Sequence, residues 1–255
     1  MDSHGSGIMK TLILGGTLDA SRLAKAVSET QLDAMFSYAG RVDTPREQPI
    51  PTRIGGFGGV AGLVDFILRE RIRAVIDATH PFAAQMSRNA IAACAQTNTP
   101  LLALERPPWR EQPDDNWINV ADITKAVDAL PETPAHIFLG IGRQHLSSFY
   151  RKPQHHYLLR IVDQPGGPLD FPNYEIVVDR GPFEFEKDRN LLAEKRIQYV
   201  VAKNAGGEGA FAKIQAARDL KLQVIMIGRP ALPKRNVVAD PKDVLNWLAH
   251  STSAK

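Results

Sequence analysis

Short apolar runs of strand length alternate with segments of helical periodicity along almost the whole chain. In the N-terminal part, the runs predicted to be strands are 11–14, 34–38, 52–54, 74–76 and 101–104. The segments between them carry apolar residues three and four positions apart, as in the helix predicted over 82–96. Strand, helix and strand repeated at this spacing predict a parallel sheet with right-handed crossovers. The alternation therefore places the chain in the α/β class.

The alternation stops at residues 106–117, which hold three prolines, two tryptophans and five charged residues, and then resumes. Such a segment is typical of a connection between domains. Beyond it, strands are predicted at 136–139, 157–161, 175–178, 199–202 and 224–227, and helices at 184–195, 209–220 and 241–249. We therefore predict two α/β lobes with parallel sheets. The N-terminal lobe covers 8–107, the C-terminal lobe covers 118–250, the connection is 106–117, and residues 1–7 are a flexible polar extension.

Composition limits the class of protein. With 44% hydrophobic and 23% charged residues in 255, the chain resembles an ordinary globular protein. No apolar run approaches the roughly 20 residues needed to cross a bilayer, and the N-terminus lacks a secretory signal pattern, so we expect a cytoplasmic protein without a membrane partner. The formal charge is +3, and the basic residues are scattered. This argues against nucleic acid and is compatible with an anionic small molecule.

Cysteine and histidine usage gives no sign of a metal site. Cys94 is the only cysteine, which excludes an intrachain disulfide and a thiolate cluster, and its apolar helical context indicates packing. The three histidines His145, His155 and His156 are close in sequence, but no carboxylate stands at ligand spacing from them.

The strand at 74–76 runs directly into a polar turn. Asp77, Thr79 and His80 follow it, and Pro81 is expected to open the next helix. Because ligands of open α/β sheets bind at the carboxyl ends of the strands, these side chains are candidates for a site.

Two glycine-containing turns follow other strands of the N-terminal lobe. Gly15, Gly16 and Thr17 join the first strand to a helix and could bring backbone N–H groups to a phosphate, although Thr17 and Ala20 replace two glycines of the usual dinucleotide motif. A second turn holds four glycines around one aromatic ring, where main chain could lie against a flat or charged ligand: Gly55, Gly56, Phe57, Gly58 and Gly59. A ligand-free tight turn and a flexible linker are the respective alternatives.

The end of the second strand bears on the choice of dinucleotide. A carboxylate that would bind a free ribose 2′-hydroxyl is missing there, whereas Ser37 and Arg41 suit a 2′-phosphate. This favours NADPH over NADH, and a solvated surface arginine is the alternative.

Four strand ends of the C-terminal lobe each carry a cation beside glycine or proline. They are Arg143, Arg180, Lys203 and Arg229. Guanidinium groups pair with carboxylates bidentately and an ammonium adds a point charge, so the four together could bind several carboxylates. Each alone could be an ordinary surface charge.

Together these motifs resemble the precorrin-6A reductase family of cobalamin biosynthesis. The resemblance spans about residues 9–230, and its most specific parts are 77–83 (Asp-Ala-Thr-His-Pro-Phe-Ala) and 203–207 (Lys-Asn-Ala-Gly-Gly). Ala205 stands where the family usually has serine. The resemblance implies two Rossmann-like lobes with the active site in the cleft between them, and an NADPH-dependent reduction of one double bond of precorrin-6A to give precorrin-6B.

The resemblance and the motifs together give the expected roles. Thr79 and His80 are the catalytic candidates, with His80 as proton donor because histidine titrates near neutrality. A histidine at this position could instead only satisfy backbone groups. The cofactor residues are expected to be Gly15, Gly16, Thr17, Ser37, Arg41, Gly55, Gly56, Phe57 and Gly58. The substrate residues are expected to be Arg143, Arg180, Lys203, Asn204, Gly206 and Arg229.

Two other classes of function fit part of the pattern. A noncatalytic tetrapyrrole or anion carrier could use the same cations, and a different two-lobed enzyme, of tetrapyrrole or sugar-nucleotide metabolism, could show the same alternation. The sequence does not determine whether the macrocycle carries cobalt, which face receives hydride, which strands near the connection belong to which lobe, or the oligomeric state.

Overall fold

The structure is a computed structural model that describes residues 10–40 and 45–252. The predicted extension at 1–7 and the cofactor candidate Arg41 lie outside the described residues. In chain order the elements are β1 (Lys10–Leu14), α1 (Leu18–Ser28), β2 (Ala34–Tyr38), β3 (Thr52–Ile54), α2 (Gly59–Arg69), β4 (Ile72–Asp77), α3 (Ala84–Thr97), β5 (Leu101–Leu104), β6 (Trp117–Val120), α4 (Ile123–Asp128), β7 (His136–Gly140), a 3₁₀ helix (Arg143–Arg151), β8 (His156–Ile161), β9 (Tyr174–Val178), α5 (Phe185–Glu194), β10 (Tyr199–Lys203), α6 (Ala212–Asp219), β11 (Gln223–Ile227), β12 (Val237–Val238) and α7 (Pro241–Thr252).

The first compact unit comprises the described parts of 1–106 and 231–255. Its six strands lie in the order β3-β2-β1-β4-β5-β12, and every neighbouring pair is parallel. This is the order of a doubly wound Rossmann sheet, in which the direction of winding reverses between β1 and β4.

The central strand β1 is apolar on both faces, as expected for a parallel strand covered on each side. Successive side chains of a strand point to opposite faces. Ile13 accordingly packs in one core with Leu248 of α7, whereas Leu12 packs in another with Cys94 of α3. Helices α1 and α7 cover the first face, and α2 and α3 cover the second. Burying each such aliphatic side chain contributes roughly 1.5–3 kcal/mol.

The second unit is Pro107–Pro230. Its strands lie in the order β6-β11-β10-β7-β8-β9, again with every neighbouring pair parallel, and the winding reverses between β7 and β10. Helices α5 and α6 pack together on a core that includes Phe138, Val200 and Ile214. The predicted pair of parallel-sheet α/β lobes is confirmed, and the cleft between them stays a prediction of the sequence.

The predicted domain boundaries need two corrections. Residues 231–250 were assigned to the C-terminal lobe, but β12 pairs with β5 at the edge of the first sheet and α7 packs on α1. The physical reason is burial, because Val244 and Leu248 of α7 fill the core of the first unit. The predicted connection also ends earlier, since Pro107 and the residues after it belong to the second unit.

The remaining differences concern the start of α3 and several elements that were not predicted. Helix α3 begins at Ala84 and not at residue 82, because Pro81 and Phe82 form a turn in which the Ala83 N–H donates to the His80 carbonyl at 2.7 Å. Strands β6 and β12, helix α4 and the 3₁₀ helix were not predicted. Within residues 10–40 and 45–252, no helix is both long and apolar enough to cross a membrane.

Candidate active site

Two candidate turns lie side by side where the winding of the first sheet reverses. Strands β1 and β4 are neighbours with Leu14 opposite Asp77, so the chain leaves both strands at the same level. The Thr17 hydroxyl donates to the Ala78 carbonyl at 2.9 Å, and the Ala78 N–H donates to the Leu14 carbonyl at 2.9 Å. Open α/β sheets bind dinucleotides at this reversal point. The structure therefore brings the glycine turn and the 77–80 turn together.

The first turn is built for close approach of the main chain. A Cβ atom at Gly15 would lie 2.0 Å from the ring of Phe36, so only glycine fits there. Thr17 is the N-cap of α1, since its hydroxyl accepts the Ala20 N–H at 3.0 Å. Because this hydroxyl also donates to Ala78, it acts as a cap and has no hydrogen left for a phosphate. The N-terminus of α1 supplies the anion-binding end of a helix dipole.

Arg53, which the sequence analysis overlooked, contacts Ser37 near the end of β2. Arg53 of β3 donates through Nη1 to the Ser37 hydroxyl at 2.8 Å and to the Gly55 carbonyl at 2.9 Å, and through Nη2 to the Gly56 carbonyl at 3.2 Å. Its guanidinium carbon lies 4.1 Å from the centre of the Phe57 ring. The detectable signal was its position, since Arg53 stands opposite Ser37 in the parallel register.

The glycine loop before α2 is held by the same arginine. Phe57 packs under Arg53 and edge-on to Phe66, with ring centres 5.1 Å apart. The Phe57 ring was expected to pack on a ligand, whereas in the structure it packs against Arg53 and Phe66. Gly58 forms the N-cap of α2 with φ 78°, a left-handed conformation that glycine adopts without strain.

The turn after β4 contains an organised carboxylate. Asp77 Oδ1 accepts the Thr79 N–H at 3.2 Å and the Thr79 hydroxyl at 2.7 Å, while Asp77 Oδ2 binds Nη1 of Arg235. The side chain of Asp77 is 1% exposed. Asp77 is thus buried and paired, which argues against a direct role as proton donor. Arg235 was missed by the sequence analysis because it lies 158 residues further along the chain.

The His80 side chain accepts a hydrogen bond from the backbone of its own turn. Its Nδ1 accepts the Phe82 N–H at 3.2 Å. A neutral imidazole that accepts at Nδ1 carries its hydrogen on Nε2. Proton donation requires the imidazolium form, in which Nδ1 also carries a hydrogen and cannot accept the Phe82 N–H, so the two alternatives for this half-buried side chain need different protonation states.

The four cations of the second unit follow strands of one parallel sheet and so share its carboxyl edge. Arg143 and Lys203 flank the reversal between β7 and β10, while Arg180 follows β9 and Arg229 follows β11. Neighbouring strands are about 4.8 Å apart, so β9 and β11 are separated by about 19 Å. The cations are spread along the edge. Arg143 is exposed, and Arg180 forms an ion pair with Asp163 at 3.3 Å.

Three of the expected substrate residues have framework contacts in the loop after β10. Arg229 donates through Nε to the Asn204 carbonyl and through Nη2 to the Ala205 carbonyl, both at 3.0 Å. The Asn204 side chain accepts the Trp109 N–H at 2.7 Å and donates to the Trp109 carbonyl at 2.9 Å. A Cβ atom at Gly206 would lie 2.0 Å from the Pro107 carbonyl oxygen. Their predicted contact with substrate stays a prediction, whereas these contacts hold the loop in place.

A buried charge cluster supports the same sheet edge. Arg160 of β8 forms two hydrogen bonds with Asp188 of α5, at 2.5 and 3.0 Å, and its guanidinium lies over the rings of Phe138 and Phe183. Lys213 of α6 donates to the Ala210 carbonyl at 2.6 Å. The pKa of Lys213 is lowered to about 8, chiefly by burial and also by the nearby Arg160 charge, while the Asp188 charge opposes both.

A family model described as "Precorrin-6x reductase CbiJ/CobK" matches residues 10–249. The chain belongs to this family. The family predicted from the motifs is therefore confirmed, and so is the assignment of the chain as a reductase, an oxidoreductase.

The relatives cover nearly the whole chain. A precorrin-6A reductase of Rhodobacter capsulatus is 58% identical over 240 residues, which are 94% of this chain and 96% of the relative. A cobalt-precorrin-6A reductase of Priestia megaterium is 30% identical over 254 residues, covering 94% and 98%. A solved structure of a CobK precorrin-6A reductase has a TM-score of 0.93 and 57% identity, covering 95% of this chain and 97% of that one.

Proposed function

We propose that this reductase uses NADPH to reduce one double bond of precorrin-6A, giving precorrin-6B, as a cytoplasmic step of cobalamin biosynthesis. The observation that carries the cofactor assignment is the juxtaposition of the Gly15–Thr17 turn and the Ala78–His80 turn at the reversal between β1 and β4. The family membership and the names of the relatives support the reaction.

The first unit has groups for two parts of the dinucleotide, the pyrophosphate and the ribose 2′-phosphate. The main chain at Gly15 and Gly16, with the N-terminus of α1, would bind the pyrophosphate. Arg53 and Ser37 would bind a ribose 2′-phosphate, because a guanidinium pairs with phosphate through two N–H groups. Arg53 thus joins the proposed cofactor set. When bound, NADPH supplies the hydride that the macrocycle accepts.

The cations of the second unit suit a substrate with several carboxylates. Arg143, Lys203 and Arg180 lie at or just after the ends of strands spread along one sheet edge, which matches acid groups distributed around a large ring better than a single small anion. Metal-free precorrin-6A is the favoured form, because the relatives named precorrin-6A reductase are 39–58% identical, whereas those named for the cobalt compound are 25–30% identical.

We propose His80 Nε2 as the group that supplies the proton accompanying the hydride. The donor form is the imidazolium, which gives up the Phe82 N–H contact at Nδ1 and transfers the proton from Nε2. Asp77, the alternative carboxyl group, is already paired with Arg235. Replacing His80 by glutamine keeps an N–H donor but removes a transferable proton. We expect kcat to fall about 100-fold, a typical contribution of a general acid, with NADPH affinity unchanged. Unchanged turnover at saturating substrate would exclude His80 as the donor.

Thermal unfolding with NADPH or NADH tests the cofactor assignment. A ligand present at 100 times its Kd stabilises the folded state by about 2.7 kcal/mol. We expect NADPH to raise Tm more than NADH, and Arg53→Gln to remove the difference while leaving the response to NADH intact. Arg69→Gln, a change at an exposed arginine of α2, is the matched control. A carrier would show no NADPH protection and no loss of nicotinamide absorbance with precorrin-6A.

A further inference from the structure

The C-terminal segment of the chain places a buried arginine against the 77–80 turn. Arg235 precedes β12, and its side chain is only 8% exposed. Its Nη1 binds Oδ2 of Asp77, and its Nη2 binds Glu105 Oε2 at 2.6 Å. Asp77 ends β4 and Glu105 follows β5, so the guanidinium joins the ends of two neighbouring strands.

The other oxygen of Asp77 determines what the hydroxyl of Thr79 can do. Asp77 Oδ1 accepts both the N–H and the O–H of Thr79. An ionised carboxylate only accepts hydrogen bonds, and a threonine hydroxyl has one hydrogen. The hydrogen of Thr79 is therefore committed to Asp77, and its oxygen has only lone pairs to present to other groups. Ser87 Oγ, at 3.5 Å from this oxygen, is at the limit of hydrogen bonding.

We propose that Arg235 is a positioning residue that, through Asp77, holds the Thr79 hydroxyl as a hydrogen-bond acceptor for the carboxamide N–H of the bound nicotinamide. The inference rests on the proposed NADPH site at the β1–β4 reversal. It gives Thr79, one of the two catalytic candidates, a specific role as an acceptor that orients the nicotinamide. It also gives a task in cofactor binding to the segment that returns from the second unit.

NADPH analogues test this role directly. The acetylpyridine analogue replaces the carboxamide by a methyl ketone and has no N–H to donate, whereas the thionicotinamide analogue keeps the N–H groups. For Thr79→Val we expect the Kd from a binding titration to rise, and kcat/KM to fall, about 3- to 10-fold with NADPH and with the thionicotinamide analogue, the value of one neutral hydrogen bond. With the acetylpyridine analogue we expect no change in Kd or in kcat/KM. Thr79→Ser should restore the preference for the amide.

Arg235→Gln is expected to reproduce the pattern of Thr79→Val, and the double variant should lose no more discrimination than either single one. Lys234→Gln, which removes the same charge from the exposed neighbouring residue, is the matched control. If Arg235→Gln does not fold, Arg235→Lys keeps the charge without the planar fork and should also lose part of the discrimination.

Each outcome decides one point. Equal losses with all three cofactors in a folded Arg235 variant would show a merely structural role and overturn the inference. Unchanged discrimination in Thr79→Val would overturn it as well. If the wild-type protein neither binds NADPH nor reduces precorrin-6A, the proposed function itself fails, which is a separate result.

Discussion

Replacing Asp188 by asparagine is expected to destabilise the second unit by about 3–5 kcal/mol, the usual cost of removing one partner of a buried ion pair. The side chains of Asp188 and Arg160 are 3% and 6% exposed, so water cannot replace the lost carboxylate. Lys213 lies in the same cluster and is fully buried. The variant therefore leaves two buried cations without the negative charge that compensates them.

Urea unfolding followed by circular dichroism measures the change in the free energy of unfolding. The matched control is Asp219→Asn, because Asp219 pairs with Arg189 at 2.6 Å while both side chains are more than 40% exposed. An exposed pair contributes about 0–1 kcal/mol. In thermal scans, 3–5 kcal/mol corresponds to a fall in Tm of about 6–20 °C for a protein of this size. If Asp188→Asn costs no more than Asp219→Asn, the reasoning from burial is wrong.

Three further predictions concern other buried groups. The pKa of Lys213 is lowered from 10.5 to about 8, so between these pH values the unfolded state binds more protons than the folded state. The stability of wild type relative to Lys213→Met should therefore be constant below pH 8 and rise from pH 8 to 10.5. Urea unfolding across this pH range measures it. Burial, together with the charge of Asp77, raises the pKa of Cys94 to about 12, so a thiol reagent at pH 8 should label Cys94 only after denaturation, and rapid labelling of the native protein would contradict this. Asn204→Ala removes both hydrogen bonds to Trp109 and should lower the free energy of unfolding, measured in urea, by about 1–3 kcal/mol. The affinity for NADPH in a binding titration should stay unchanged, and its loss would indicate that Asn204 does more than hold the loop.

The strands of both sheets other than β6 and β12 were predictable because each is a short apolar run bounded by turn residues. The glycine turn at Gly15 and the polar turn at Asp77 were found for a related reason, since strand ends of a parallel sheet share one edge. The residues of a short stretch of sequence are therefore enough to predict both a strand and the turn that follows it. The family resemblance came from the same turns.

The contacts that organise the site were not predictable from local sequence. Arg235 reaches Asp77 across 158 positions, and Asn204 reaches Trp109 across 95. The residues next to Arg235 and Asn204 in the sequence do not indicate that these side chains contact Asp77 and Trp109. Arg53 could have been found, because it stands beside Ser37 once β2 and β3 are placed in parallel register.

The return of β12 and α7 to the first sheet makes the second unit an insertion within the first. Asn204 and Arg229 hold the loop of Gly206, which packs against Pro107, so the point where the chain enters the inserted unit is fastened close to the point where it leaves. On the ribosome, all residues of the inserted unit are synthesised before Val244 and Leu248, which belong to the core of the first unit. The N-terminal unit therefore cannot complete its core until the chain has been synthesised as far as α7.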